Sequence, residues 1–119
     1  MDEEFIDTES KEYRRARKRA RRLLVSSLDP QQKRQFKRKG WFEVTSNRGN
    51  VFRISDRFPF NVRLAGIAKA SRIFFCMEAE DSGIPPEDVM LAEKLMLEND
   101  EARFLGIAAL AYIPKITDL

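Results

Sequence analysis

WFEVTSNRGNVFRISD, residues 41–56, alternates apolar and polar side chains on both sides of a glycine-containing turn. Phe42 and Val44 stand against Glu43 and Thr45 in the first half, and Phe52 and Ile54 against Arg53 and Ser55 in the second. A period of two marks a strand with one buried face, because successive side chains point to opposite sides of a sheet. NRGN at 47–50 supplies Gly49 for a positive backbone angle, so 41–46 and 51–56 are predicted to pair as a hairpin. The centre of the fold is therefore an antiparallel sheet, and whatever flanks it must cover one apolar face.

Downstream, Asn61–Leu64 reads as a third strand after the RFPF bend, where Pro59 discourages continuous pairing. Residues 72–78, with the apolar run IFFCM, read as a fourth. DSGIPP at 81–86 breaks the pattern, and two helices are expected at 86–98 and 100–111. Val89, Ala92, Leu95 and Met96 recur at helical spacing, while Leu91, Leu97, Phe104, Leu105 and Ile107 widen the apolar surface. These side chains are expected to be core packing against the sheet, not a ligand groove.

Upstream, 9–28 lacks Gly and Pro and reads as a helix. At roughly 100° per residue, Tyr13, Ala16, Ala20, Leu23, Leu24 and Leu28 fall within an arc of about 140° that should face a core. Lys11, Arg14, Arg15, Lys18, Arg19, Arg21 and Arg22 occupy the complementary arc, with Arg17 on the margin of the apolar one. Asp29-Pro30 is a helix start: an N-cap acceptor stands before a residue whose missing amide hydrogen is harmless at the first position, with Gln32 three residues after the cap. Gly40 suits the left-handed residue that closes a helix over 30–39. Phe36 is its expected core anchor, and Lys33, Arg34, Lys37, Arg38 and Lys39 extend the basic surface.

The charge is segregated. Residues 1–10 carry five acids and no base, whereas 11–39 carry thirteen bases against Glu12 and Asp29. Residues 40–75 contribute +4 and 76–119 contribute −7, so the net charge of +3 averages over very uneven blocks. Like charges concentrated in one segment create a local field, which bears on partners more than on fold. Length fits one domain: 119 residues, with 1–10 an acidic tail and 11–119 a single α+β domain. Hydrophobic residues at 43% and charged residues at 34% supply both a core and an ionised surface. There is no run of 18 or more apolar residues, and MDEEF has neither the basic start nor the apolar middle of a signal peptide, so no membrane partner is expected and a cytoplasmic or virion location is.

Catalytic chemistry finds little support. The chain has no histidine, which removes the commonest metal ligand and general base, and no cofactor, metal or small-molecule substrate is expected. Cys76 has no histidine to activate it and reads as a packed thiol. Glu78, Glu80 and Asp81 lack the alternating ligands and glycine of a calcium loop and read as an acidic solvent loop. The glycines form no phosphate-cradling cluster. Trp41, Phe42 and Phe52 are candidates for base stacking, with two of the three more readily placed in the core.

IPPEDVMLAEKLMLENDEARFL at 84–105, preceded by Phe42-Glu43-Val44, Phe52-Arg53-Ile54, Asn61-Val62 and Cys76, resembles a widespread set of short bacterial and phage proteins with no assigned activity. Their pattern has a leucine-rich opening helix, a glycine hairpin, a cysteine strand and an ending like D-x-x-LA-x-KL-x-LE-x-DE-x-x-FL. The resemblance spans about residues 23–110 and implies a phage or bacterial accessory protein, with a virion component among the options. Many members carry a histidine two residues after the cysteine, where this chain has Glu78, so no Cys–His role carries over. The basic run at 9–22 lies outside the resemblance.

Two functions compete. The first is a non-enzymatic module that grips a DNA or RNA backbone through Lys11, Arg14, Arg15, Lys18, Arg19, Arg21, Arg22, Lys33, Arg34, Lys37 and Arg38, since arginine forks match phosphate oxygens. The second is a structural or interaction protein of an assembly, whose charged faces meet protein subunits. In that case the acidic residues of 87–101, Glu87, Asp88 and Glu93 among them, would face the basic surface of a neighbour.

Overall fold

The structure, a computed structural model, describes residues 10–66, 73–77 and 83–112. Residues 1–9 of the acidic tail, the loop carboxylates Glu78, Glu80 and Asp81, and Arg72 lie outside the described residues.

Two helices open the described part of the chain. Helix α1 (Lys11–Ser27) starts on Ser10, whose hydroxyl accepts the Tyr13 amide at 3.0 Å. Helix α2 (Pro30–Lys39) carries the full capping box: Asp29 accepts from the Gln32 amide at 2.8 Å, and the Gln32 side chain accepts from the Asp29 amide at 3.0 Å. Gly40 closes α2 at φ 76° with the Asp56 carboxylate packed against it, a backbone angle that disfavours any side chain. Ala20, Leu24, Leu28 and Phe36 are buried as the periodicity required. Leu23, at the edge of the arc, is 55% exposed instead.

Five strands follow in sequential antiparallel order: β1 (Trp41–Thr45), β2 (Val51–Ser55), β3 (Val62–Leu64), β4 (Ile73–Cys76) and β5 (Ala109–Tyr112). The hairpin register sets Phe42 opposite Ile54 and Val44 opposite Phe52, all buried. Val62 and Phe75 continue this face, while Trp41, Glu43, Arg53, Arg63 and Phe74 belong to the other. Helices α3 (Pro86–Asn99) and α4 (Glu101–Ile107) cover the apolar face, so the α+β arrangement with a C-terminal helical pair on the sheet holds. Phe104 of α4 meets Phe52 and Phe75 edge to face at 6.3 and 6.0 Å.

Two expectations need correction. The second C-terminal helix ends at Ile107, and Ala109–Tyr112 pairs with β4, with Cys76 opposite Ala109 and Ile73 opposite Tyr112. β4 offered an open edge, and pairing there satisfies backbone groups that an extended helix would have left unpaired on the sheet. In α3 the buried face is Met90, Glu93, Lys94 and Leu97, about opposite to Val89, Ala92, Leu95 and Met96. Val89, Ala92 and Met96 are half-buried, and Leu95, Leu105 and Ile107 are exposed. The reason is that the buried charged groups of α3 have hydrogen-bonding partners. Lys94 Nζ bonds Glu98 at 2.8 Å, and Glu87 accepts two bonds from Arg17, so apolar periodicity no longer decides which way the helix turns.

Candidate nucleic-acid interface

The cationic face of α1 follows from its helical period and from what it packs against. Buried Leu24 and Ala20 fix the inner side, which leaves Lys11, Arg15, Lys18, Arg19 and Arg22 within an arc of roughly 100° on the opposite side. All seven α1 residues expected at the site are exposed: Lys11, Arg14, Arg15, Lys18, Arg19, Arg21 and Arg22. No carboxylate of the described residues forms an ion pair with Lys11, Arg15, Lys18, Arg19, Arg21 or Arg22. From Lys11 to Arg22 the row spans roughly 16 Å at 1.5 Å per residue, enough to meet several successive phosphates.

α2 is aimed by its glutamines. Gln32 donates to the Glu43 carbonyl at 2.8 Å, and Gln35 accepts the Glu43 amide at 2.9 Å, so the helix is bonded along β1. Its other side then carries Lys33, Arg34, Lys37 and Arg38, all exposed. The two helices meet where the Arg21 guanidinium lies over the Phe36 ring at 4.8 Å.

Arg17 stands apart. It forms a two-pronged bond to buried Glu87, with Nη2 3.0 Å from Oε2 and Nε 3.3 Å from Oε1, and so ties α1 to the start of α3. Of the acids of 87–101 expected to form an outward face for another subunit, Glu87 is spent on Arg17, Glu93 is buried, and Glu101 is buried accepting from Ser46 and Asn50 at 2.7 Å each, whereas Asp88 and Asp100 are exposed and Glu98 is half-buried.

Glu93 is the most perturbed of these groups. Burial pushes its carboxyl up to about 8, against smaller opposing effects from the Asn61 side chain, 2.7 Å away, and the Met77 amide. Its Oε2 and the Asn61 Oδ1 are both buried without a hydrogen-bond partner, and a proton on the carboxyl supplies a donor there.

The sequence offered no warning of a second basic site, on the outer face of the sheet. A concavity of about 730 Å³ opens there, with Lys39, Arg53, Arg57 and Arg63 in its walls. Trp41, Phe60 and Phe74 line it as well. Arg53 places Cζ 3.7 Å from the Trp41 ring centre and Nη2 3.2 Å from Glu43, while its Nε is buried without a partner. Arg63 sits directly across from Arg53 in the ladder, and its guanidinium is pushed down by burial first and by the Arg53 charge second. Alternation put these residues on the outer face; only strand register put them together.

Trp41 is half-buried here, whereas Phe42 and Phe52 are core, which settles which of the three aromatics faces outward. Cys76 is buried, and no group of three potential metal ligands occurs among the described residues. None of the described helices is long and apolar enough to cross a membrane. No family model matches the chain, and neither a curated protein nor a solved structure matches it significantly.

Proposed function

We propose that the protein is a non-enzymatic module that binds the phosphate backbone of DNA or RNA through the outward faces of α1 and α2, with little reading of sequence. The observation that carries this is the row of Lys11, Arg15, Lys18, Arg19 and Arg22, exposed on one side of α1 and unmatched by any carboxylate of the described residues. Uncompensated cations in a row are unfavourable for the isolated protein and favourable once condensed counterions are released from a polyanion. The resemblance of 84–105 to bacterial and phage proteins fits an accessory role, inside a cell or in a virion.

A second reading, a subunit contact within an assembly, draws on the exposed Leu105, Ile107 and Leu110 along α4 and β5, at one edge of the described sheet.

The test is binding to a mixed-sequence duplex at several salt concentrations. Replacing Arg15, Lys18, Arg19 and Arg22 with Gln should weaken binding at least tenfold at low salt and reduce the log–log salt slope by about 0.9 per lost phosphate contact. Circular dichroism should show unchanged helicity, because Gln is a good helix former. Parent-like affinity and slope in the quadruple variant would overturn the proposal.

A further inference from the structure

The outer-face concavity combines features that a backbone-gripping helix does not need. Four cations line it, and Glu43, the acid bonded to Arg53, is the carboxylate in the cross-strand row Glu43–Arg53–Arg63. Like charges facing each other across a ladder destabilise a sheet, and the desolvated Arg63 makes that opposition stronger. An anion bound between them would relieve both. Three aromatic rings share the same walls, and Phe60 is held there with a left-handed backbone at φ 54°, a conformation bulky residues seldom adopt. A volume of about 730 Å³ lies within the usual range for small-ligand sites, roughly 300 to 1,000 Å³.

We propose that this concavity binds a segment of single-stranded nucleic acid, stacking a base against Trp41 and Phe74 and holding the adjoining phosphates on Lys39, Arg57 and Arg63. Stacking platforms beside a cationic track are how proteins hold single strands without reading sequence, since every base has a flat face. A duplex keeps its bases stacked within the helix and cannot offer one to a sheet face. Arg53 has a different part: bonded to Glu43 and laid on Trp41, it fixes the indole and keeps positive charge beside it. Lys39 ends α2, so the strand would pass from the α2 cations onto the sheet. The inference does not depend on the α1 row.

Trp41 is the one tryptophan in the chain, so its emission reports this site directly. Titration of the parent with the single strand (dT)12 should quench Trp41 saturably. Arg57→Gln, at an exposed position that leaves the packing untouched, should raise the half-saturating concentration at least fivefold, and Arg63→Gln should do so more strongly. The α1 quadruple Gln variant should still reach the full quench, which separates failure at this site from failure of the helix proposal. Absence of quenching when a labelled (dT)12 is shown by anisotropy to be bound would overturn the inference. So would equal quenching by a duplex of the same length, by inorganic polyphosphate, or by thymidine monophosphate at the same nucleotide concentration, since each removes the need for a single strand.

Discussion

α1 and α3 pack against each other but sort their charges in opposite ways. α1 turns nearly every cation to solvent and buries Ala20 and Leu24, whereas α3 buries Glu87, Glu93 and Lys94 and leaves Leu95 exposed. The difference lies in partners. Glu87 has Arg17, Glu93 has Asn61, and Lys94 has Glu98, so each buried charge or acid is hydrogen-bonded. Lys11, Arg15, Lys18, Arg19 and Arg22 of α1 form no ion pair with a carboxylate of the described residues, and they face solvent or an external polyanion.

The sharpest way to break that contrast is to remove the packing that holds α4 and, through it, α3 in place. Phe104→Ala should lower stability by about 3–5 kcal/mol in chemical denaturation, because the ring is fully buried against Phe52 and Phe75. A loss near 1 kcal/mol would mean the aromatic cluster re-forms without it.

Glu93 gives the next effect. Its folded value of about 8 lies above the ordinary value of 4.5, so between these limits the folded chain keeps a proton that the unfolded chain has released. Stability is then fully present below about pH 4.5 and falls as pH rises toward 8, by about 2 kcal/mol between pH 5 and 7 from this group. Glu93→Gln, which imitates the protonated acid, should flatten that dependence when denaturation is repeated at each pH. An unchanged slope would mean the carboxyl is ionised in the fold.

A smaller change is expected at the joint between the two helices. Arg17→Met should cost about 1–2 kcal/mol by leaving Glu87 buried with its oxygens short of donors; the arginine's 43% exposure keeps the loss below that of a fully buried pair. A double-mutant cycle with Glu87→Gln should recover part of that loss. Smallest of all, Leu95→Ala should change stability by less than about 0.5 kcal/mol, because the side chain is 47% exposed. A cost of 2 kcal/mol or more would show that Leu95 is covered in solution by another chain.

The sequence by itself determined the local elements. The Asp29-Pro30-x-Gln32 cap and Gly40 bounded α2, the alternation over 41–56 set the hairpin, and the period of α1 separated its cations from its core side. Each depends on neighbours a few residues apart, within reach of a repeat or a cap. The cationic half of the candidate interface was legible for the same reason. Tertiary structure alone decided the rest. α3 turned its charges inward because partners from α1 and the Asn61 loop were waiting there, and 109–112 became a strand because β4 had an open edge. The outer-face site needed Lys39, Arg53 and Arg63 to be brought beside Trp41, and only the pairing register of three strands and the end of α2 could do that. Hydrophobic periodicity assigns a charge to water by default; a buried partner far along the chain reverses that assignment, and no local pattern records it.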